Sequence, residues 1–334
     1  MRKYLIPNEG QFYKANLHSH SNISDGALSP EEIKELYKSN GYSVFAYTDH
    51  DVMIPHPELN DENFLTLNGF EAEITEKNDR PFKTQRTCHL CFIAGSPDIK
   101  AQPCWNPEDA RIGNAPNYRD AVIKDERSKG FVREYTSESI NEMIKICREA
   151  GFFITYNHPT WSLEDYPVYT SYHGMHAMEV YNHSSARLGY DEQNASKYDD
   201  MLKGGERIFA VAADDNHNKS KDSFGGFVMI KAPKLEYKAI TDALFNGDFY
   251  ASQGPEIKSL YVEDGKLFVE TSDAVRITAT TGLRRAKIAT ATKDKLVSSL
   301  SFGLEEDMGY VRVTVTDENG RSAWSRAYFI DEIL

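Results

Sequence analysis

The sequence predicts an α/β protein that ends in an all-β region. Through the first 250 residues, apolar segments typical of strands alternate with segments that carry helix start signals, the pattern of a fold built on parallel strands. After residue 253 the chain changes to short β segments with tight turns at 264–265 and 319–320. We therefore expect a larger unit over 1–253 and a small all-β sandwich over 254–334.

Eight strands are predicted in the larger unit. Each is an apolar run of strand length, and most of these runs end in polar residues. The runs are 13–20, 42–50, 64–74, 88–95, 152–159, 177–182, 208–215 and 225–233. Because parallel strands present their C-terminal ends at one edge of a sheet, the side chains at these ends should meet in space.

Two helices have recognisable start signals. After the first strand, Ser29 is a predicted N-cap, Pro30 takes the first helical position and Gly41 marks the end. The segment 136–152 begins with Thr136 and a serine three residues later, a weakened capping box. Both helices then lead into a predicted strand.

Residues 96–133 interrupt this alternation. The segment holds four prolines among polar and charged residues. An insertion of this length in a compact domain is often a lid or a substrate loop. An excursion over the surface is equally compatible with the sequence.

The composition excludes several classes of partner. With 38 Lys and Arg against 51 Asp and Glu, the formal net charge is −13, which disfavours nucleic acid and anionic membranes. No run approaches the roughly 18 apolar residues of a membrane span, and the apolar segment near the N-terminus is too short for a secretory signal. We expect a cytoplasmic protein.

The four cysteines are too few for a disulfide scaffold. Cys88 and Cys91 have the CxxC spacing of some redox and zinc sites. Residues three apart in a strand point to opposite faces, however, so we expect both to be structural.

Histidines and carboxylates recur where the predicted strands end. His18 and His20 alternate along one extended segment, so both imidazoles face the same side. Further such side chains are His50, Glu71, His89, His158, Asp215 and His217. A single histidine at a strand end is usually structural, but this combination supplies the ligands that zinc, manganese or iron take. We expect a polynuclear metal site.

Five motifs resemble those of the PHP superfamily, named for its polymerase and histidinol phosphatase members. They are HSHSNISDG (18–26), TDHD (48–51), GFEAEI (69–74), NHPTW (157–161) and DDNH (214–217). The segment 310–324 is similar to the tail of PHP proteins grouped with carbaryl-hydrolysing enzymes. The resemblance implies a distorted (β/α)7 barrel, similar to a TIM barrel, with up to three divalent ions at its C-terminal mouth.

The resemblance also implies the ligands of two or three divalent ions (Zn, Mn or Fe). Glu71 would bridge two ions, of which the first also binds His18, His20 and Asp215 and the second His89 and His158. The third would bind Asp25, His50 and His217, although many relatives carry histidine at the position of Asp25. Asp215 is preferred to its neighbour Asp214 because it forms a D-x-H pattern with His217.

Such a centre predicts hydrolysis of a small phosphorylated metabolite. Three divalent ions and three carboxylates leave a charge of about +3, which attracts a phosphate. A metal-bridging hydroxide would be the nucleophile, so no serine or cysteine nucleophile is needed. We assign His183 as the acid that protonates the leaving group and Arg187 as a phosphate ligand.

Two other functions stay open. The same centre would hydrolyse a carbamate, ester or amide, or the chain would be a non-catalytic, metal-containing binding module. A phosphate pocket should contain an arginine or lysine beyond the metals, whereas an acyl pocket should be more apolar.

Overall fold

The computed structural model describes residues 2–334, apart from the side chain of Phe82. Within that range the α-helices are α1 (Pro30–Lys38), α2 (Ser137–Glu149), α3 (Tyr166–Tyr169), α4 (His183–Arg187), α5 (Ala195–Lys203), α6 (Tyr237–Asn246) and α7 (Ile330–Ile333). The earlier strands are β1 (Lys3–Tyr4), β2 (Gln11–Asn16), β3 (Val44–Tyr47), β4 (Leu65–Thr75), β5 (Thr87–Ala94), β6 (Ala101–Gln102), β7 (Ile123–Lys124), β8 (Phe152–Tyr156), β9 (Ala177–Asn182), β10 (Phe209–Ala213), β11 (Phe227–Ala232) and β12 (Phe249–Ser252). The later strands are β13 (Ile257–Glu263), β14 (Lys266–Ala274), β15 (Arg276–Thr281), β16 (Ala286–Thr290), β17 (Val297–Gly303), β18 (Tyr310–Thr316), β19 (Ser322–Ser325) and β20 (Tyr328–Phe329).

The eight strands predicted in the larger unit all form, as β2 to β5 and β8 to β11. They pair in the order β10-β9-β8-β5-β4-β3-β2-β11, and β12 follows β11. The strands β2, β3 and β4 are mutually parallel, as are β8, β9 and β10. The fold is therefore mixed α/β with a large sheet.

The expectation of parallel strands is wrong for β5 and β11. β5 runs antiparallel to both β4 and β8, and β11 runs antiparallel to β2. The connection over 76–86 contains only a 3₁₀ turn at Phe82–Thr84, whereas a parallel neighbour requires a longer crossover. As a consequence, β5 places its N-terminal end, with His89, at the edge where its neighbours end.

Hydrogen bonds also join the segments that follow β2 and β10. The amide of Asp215 donates to the carbonyl of His18, and the amide of His20 donates to the carbonyl of Asn216, both at 3.0 Å. Among the described residues no named strand pairs with the second edge of β10. Closure into a (β/α)7 barrel therefore stays a prediction.

The two predicted helices begin where the sequence indicates. Ser29 caps α1 and forms a complete capping box with Glu32, and Pro30 is the first helical residue. Thr136 caps α2 by accepting a hydrogen bond from the amide of Ser139. The buried side of α1 packs Ile33 and Tyr37 against an aromatic cluster beside β3. No described helix has the length and hydropathy to cross a membrane.

The C-terminal strands form two facing sheets around an apolar core. One sheet has the order β1-β13-β14-β17, and the other is the continuation of the large sheet through β12, β19, β18, β15 and β16. Leu260, Val269 and Val313 lie in the core between them. Residues 3–6 also belong to this structure, because β1 pairs with β13 and Leu5 packs in the same core.

The insertion over 96–133 packs against loops that carry site residues. The amide of Asn114 donates to the carbonyl of Ser24 at 2.7 Å, next to Asp25. The buried side chain of Gln102 bonds both to the amide of Met53 at 2.7 Å and to the carbonyl of Asp51 at 2.8 Å. The insertion therefore supports the loops after β2 and β3.

Candidate metal centre

His18 and His20 follow β2 and project to the same side. Both are buried, and their Nε2 atoms lie 3.2 Å apart. The Nε2 atom of His20 is 3.0 Å from Oδ1 of Asp215, and that of His18 is 3.3 Å from the same oxygen. These three side chains form one group of possible metal ligands.

Glu71 lies at the centre of the cluster. It is fully buried in β4, with its side chain among five imidazoles, one of which is that of His20 at 3.4 Å from Oε2. Its Oε1 is 3.1 Å from ring nitrogens of both His18 and His89 and 3.4 Å from Nε2 of His158. Its Oε2 is 3.2 Å from Nδ1 of His50. The carboxylate thus contacts side chains contributed by β5 and by the ends of β2, β3 and β8.

A second group lies nearer the surface. His20, Asp25, His50 and His217 bring one ligand atom each within 4.8 Å of one another. Oδ2 of Asp25 is 3.3 Å from Nε2 of His217, and its Oδ1 is 3.8 Å from Nε2 of His50. The side chains of Asp25 and His217 are about a fifth exposed, at 23% and 22%. The structure therefore brings all nine predicted ligands together. We call Glu71, Asp215, His18, His20, His89 and His158 the inner group, and Asp25, His50 and His217 the outer group.

The geometry and the unpartnered atoms fit a divalent ion. Ligand atoms bound tetrahedrally at the usual 2.0–2.1 Å lie roughly 3.3–3.4 Å apart. The contacts of Glu71 and Asp215 with the inner imidazoles lie at 3.0–3.4 Å and cover this range, except that of Asp215 with His158 at 3.8 Å. Oε2 of Glu71 and Oδ1 of Asp25 are buried and accept no hydrogen bond. A buried carboxylate oxygen with no donor is costly unless a cation satisfies it.

The carboxylates of the cluster are held in their charged form. Burial alone would raise the pKa of Glu71, but His18, His89 and His50 lower it well below its usual value. Burial is likewise outweighed for Asp215, where His18 and His20 lower the pKa, and for Asp25, where His217 does so. Ionised carboxylates are the form that binds a metal ion.

The pKa values of the imidazoles shift in two directions. Burial, reinforced by His20, lowers the pKa of His50 to about 4, so this ring is neutral and ready to bind a metal. Burial also opposes the protonation of His89 and His217, but Glu71 raises the pKa of His89 to about 9 and Asp25 raises that of His217 to about 9. Glu71 and Asp25 therefore stabilise positive charge at the positions where metal ions would bind.

Glu179 orients the inner group and was not recognised as a site residue from the sequence. Its Oε1 is 2.8 Å from Nδ1 of His18, and its Oε2 accepts hydrogen bonds from the amide of His158 at 3.0 Å and from Asn182 at 2.9 Å. A carboxylate on the second nitrogen of a ligand imidazole fixes its tautomer and orientation. The signal available in the sequence was its position near the end of β9.

Asn157, Cys91 and Trp161 lie next to the inner group. Asn157 donates to Oε1 of Glu71 at 2.7 Å and to Sγ of Cys91 at 3.1 Å. The ring of Trp161 packs edge-on against His158, with 5.1 Å between centroids. Asn157 and Trp161 belong to the same NHPTW motif as His158. Their place in this motif was the sequence feature that could have identified them.

Asp49 and Asp214 have structural contacts. Asp49 accepts hydrogen bonds from the amides and hydroxyls of Ser21 and Ser24, which orders the loop that leads to Asp25. Asp214 accepts hydrogen bonds from three amides over 224–226 and from the hydroxyl of Tyr37. Of the two adjacent aspartates, it is Asp215 that lies among the ligands.

His183 and Arg187 lie outside the ligand groups. Nδ1 of His183 is 2.8 Å from the hydroxyl of Tyr181, and burial lowers the pKa of His183, with Arg187 adding to the effect. Arg187 ends α4 and is exposed. No described contact joins either residue to a predicted ligand, so their roles stay predictions.

The chain is similar to several solved structures. One is a two-domain protein from Bacteroides vulgatus, described as containing a predicted PHP-like metal-dependent phosphoesterase, with 14% identity, 98% of both chains covered and a TM-score of 0.44. Another is a putative metal-dependent phosphoesterase from Bifidobacterium adolescentis, with 16% identity, 65% of this chain and 90% of that chain covered, and a TM-score of 0.38.

A third is an amidohydrolase from Chromobacterium violaceum with bound sulfate, with 19% identity, 61% of this chain and 87% of that chain covered, and a TM-score of 0.36. No protein-family model matches the chain, and no curated protein does. PHP-like proteins, the family that the five motifs resemble, are thus among its structural neighbours.

Proposed function

We propose that the protein is a metal-dependent hydrolase, and specifically a phosphoesterase that acts on a small phosphorylated metabolite. The observation that carries this proposal is Glu71, a fully buried carboxylate whose two oxygens contact the imidazoles of separate strands. Two or three zinc, manganese or iron ions bound here would lower the pKa of water and stabilise negative charge in the transition state.

The chain's own residues would hold the ions. Glu71 contacts His18 as well as His89 and His158, so it would bridge the first two ions. Asp215 serves the inner group through its contacts with His18 and His20. Asp25 and His217 would complete the outer group, and because they are more exposed we propose that a substrate approaches from their side.

A cavity of about 360 Å³ reaches Asp51, the residue after His50, but none of the nine predicted ligands lines it. Its charged lining residues are the acidic Asp51, Glu73, Glu76 and Asp109 and the basic Lys77, Arg111 and Arg133. Because Arg133 is buried and paired with Asp51 and Asp109, this cavity does not add a free basic group for a phosphate. We further propose that His183 protonates the leaving group and that Arg187 reaches a phosphate from the opening.

The proposal also includes the cellular location and the partners of the enzyme. We propose that it works in the cytoplasm on a small molecule, and not on nucleic acid or at a membrane. The net charge of −13 supports the exclusion of nucleic acid and anionic membranes, because a negative protein binds polyanions poorly.

A second candidate is hydrolysis of a carbamate, ester or amide. The observation in its favour is the ring of Trp161, which packs at 5.3 Å from His89 and 5.1 Å from His158. An aromatic wall beside the metal ligands would support an aryl or acyl group.

Metal analysis of the purified protein, combined with a screen of phosphomonoesters, phosphodiesters and aryl carbamates, tests both candidates. We expect at least two ions per chain and turnover of a phosphomonoester. Glu71→Ala and His158→Ala should lose both metal and turnover. His173→Ala is a matched control, because its side chain is exposed and has Glu206 as its described hydrogen-bond partner, while only its backbone amide bonds to Asn141 of α2. Retention of metal and activity in both site variants would falsify the proposal.

A further inference from the structure

Cys91 faces the interior of the metal centre. It lies directly opposite Glu71 in the antiparallel pair of β4 and β5, so the two side chains point to the same face of the sheet. It is 1% exposed. His89, two residues earlier in β5, points to this face as well.

The sulfur lies within reach of two ligands. The ligand atoms of His18, Glu71 and Cys91 all lie within 4.8 Å of one another. An ion with bonds of about 2.0–2.3 Å holds tetrahedral ligand atoms roughly 3.3–3.8 Å apart, so these side chains need to move together by about an ångström at most to bind it. The side-chain amide of Asn157 donates to both Oε1 of Glu71 and Sγ of Cys91, so these two atoms lie side by side. Oε1 of Glu71, the oxygen that accepts from Asn157, is also the one that lies 3.1 Å from Nε2 of His18.

We propose that Cys91 is a further metal ligand, which binds through its sulfur the ion held by His18 and Glu71. This inference rests on the proposed metal centre and adds to it a preference for one class of ion. When the ion binds, the S–H bond breaks, a bond between sulfur and metal forms, and the proton passes to the solvent.

A thiolate changes which metal the centre prefers. Thiolate is a soft ligand that favours zinc, and in this chemistry Co²⁺ behaves like zinc, whereas manganese and magnesium prefer oxygen ligands. The remaining ligands, imidazoles and carboxylates, suit either class of ion. Cys91 is therefore the residue that would bias this centre towards zinc.

Cys88 provides a matched control on the same strand. It is fully buried, but it points to the other face, into an apolar core that also contains Met143 and Tyr172. Cys88→Ser and Cys91→Ser thus make the same chemical change at two buried positions, three residues apart.

Absorption spectroscopy of the protein loaded with Co²⁺ tests the proposal. A thiolate bound to Co²⁺ gives an intense charge-transfer band in the near ultraviolet, whereas imidazole and carboxylate ligands give only weaker visible bands. We expect the band in the native protein and in Cys88→Ser, and its loss in Cys91→Ser and Cys91→Ala that still bind Co²⁺. Bound cobalt without the band in the native protein overturns the role of Cys91, and this measurement needs no variant to fold.

The two proposals fail differently. If the native protein binds no Co²⁺ or Zn²⁺, the metal centre itself is wrong, and the role of Cys91 with it. If it binds cobalt but the band is absent or survives in Cys91→Ser, only the role of Cys91 is wrong.

Metal competition gives a second measurement. In Cys91→Ser we expect the zinc affinity to fall about 10- to 100-fold by chelator competition, with a smaller fall for manganese. Equal losses for the two metals would indicate a structural role for Cys91 and contradict the proposal.

Discussion

Nδ1 of His18 lies 2.8 Å from Oε1 of Glu179, and both side chains are buried. The contact leaves Nε2 of His18 facing Glu71 and Asp215. Because an ionised carboxylate only accepts hydrogen bonds, Glu179 keeps the hydrogen on Nδ1 and selects the tautomer in which Nε2 is free to bind a metal.

Glu179→Gln should therefore weaken metal binding without abolishing it. We expect the affinity of the inner group for Zn²⁺ to fall about 10- to 100-fold, measured by chelator competition. Glu206→Gln is the control, because Glu206 contacts His173, which is 60% exposed and remote from the ligands. Equal affinities in native protein and Glu179→Gln would show that the contact does not orient His18.

Asp25→Ala should remove one ion and leave the others. Its contacts with ligand imidazoles are to His217 and His50 of the outer group, at 3.3 and 3.8 Å. We expect metal analysis to show one ion fewer per chain than in the native protein, with the inner group still loaded. Asp98→Ala, a change at an exposed aspartate, should leave the metal content unchanged. Loss of every ion in Asp25→Ala would contradict the division into two groups.

Glu164 should make stability depend on pH. It is 4% exposed, and burial raises its pKa to about 7 from 4.5, although hydroxyls of Tyr135, Tyr156 and Tyr172 donate to it. Between these values the folded chain keeps a proton that the unfolded chain releases. The free energy of unfolding should therefore fall as the pH rises through this window.

Glu164→Gln removes this titration. Urea unfolding at pH 5 and at pH 8 should show a smaller loss of stability in the variant, by an amount on the order of 3 kcal/mol at most. Glu35→Gln, at an exposed position of α1, should keep the native pH dependence. The same slope in all three proteins would rule out a raised pKa for Glu164.

Arg312 should contribute strongly to the attachment of the C-terminal sheet. It is 7% exposed and donates through Nε and Nη2 to both oxygens of Asp199 in α5, at 2.7 Å each. Arg312→Ala leaves the carboxylate without its partner and should lower the free energy of unfolding by about 2 kcal/mol or more.

A double-mutant cycle with Asp199→Asn measures this coupling. The double variant should lose less stability than the sum of the single losses. Arg285→Ala breaks an exposed ion pair with Glu305 and should have little effect. Additive losses for Arg312 and Asp199 would show that the pair contributes little.

Much of the fold was predictable from local patterns. Ser29, Pro30 and Glu32 specify the start of α1 through backbone geometry and hydrogen bonds within four residues. The apolar runs located β2 to β5 and β8 to β11 for a similar reason, because a buried strand needs apolar side chains along its own length, but they did not predict β12, which extends the same sheet. The direction of β5 was not predictable in this way, since it depends on which partners the strand finds.

The ligand types and their places along the chain were visible in the sequence, because imidazoles and carboxylates at strand ends have few structural reasons to recur together. Only the tertiary structure decided that Glu71 lies among five imidazoles, that His89 reaches them from the start of an antiparallel strand, and that Glu179 orients His18. Such contacts join residues up to 161 positions apart. They depend on strand pairing across the sheet, which no local pattern encodes.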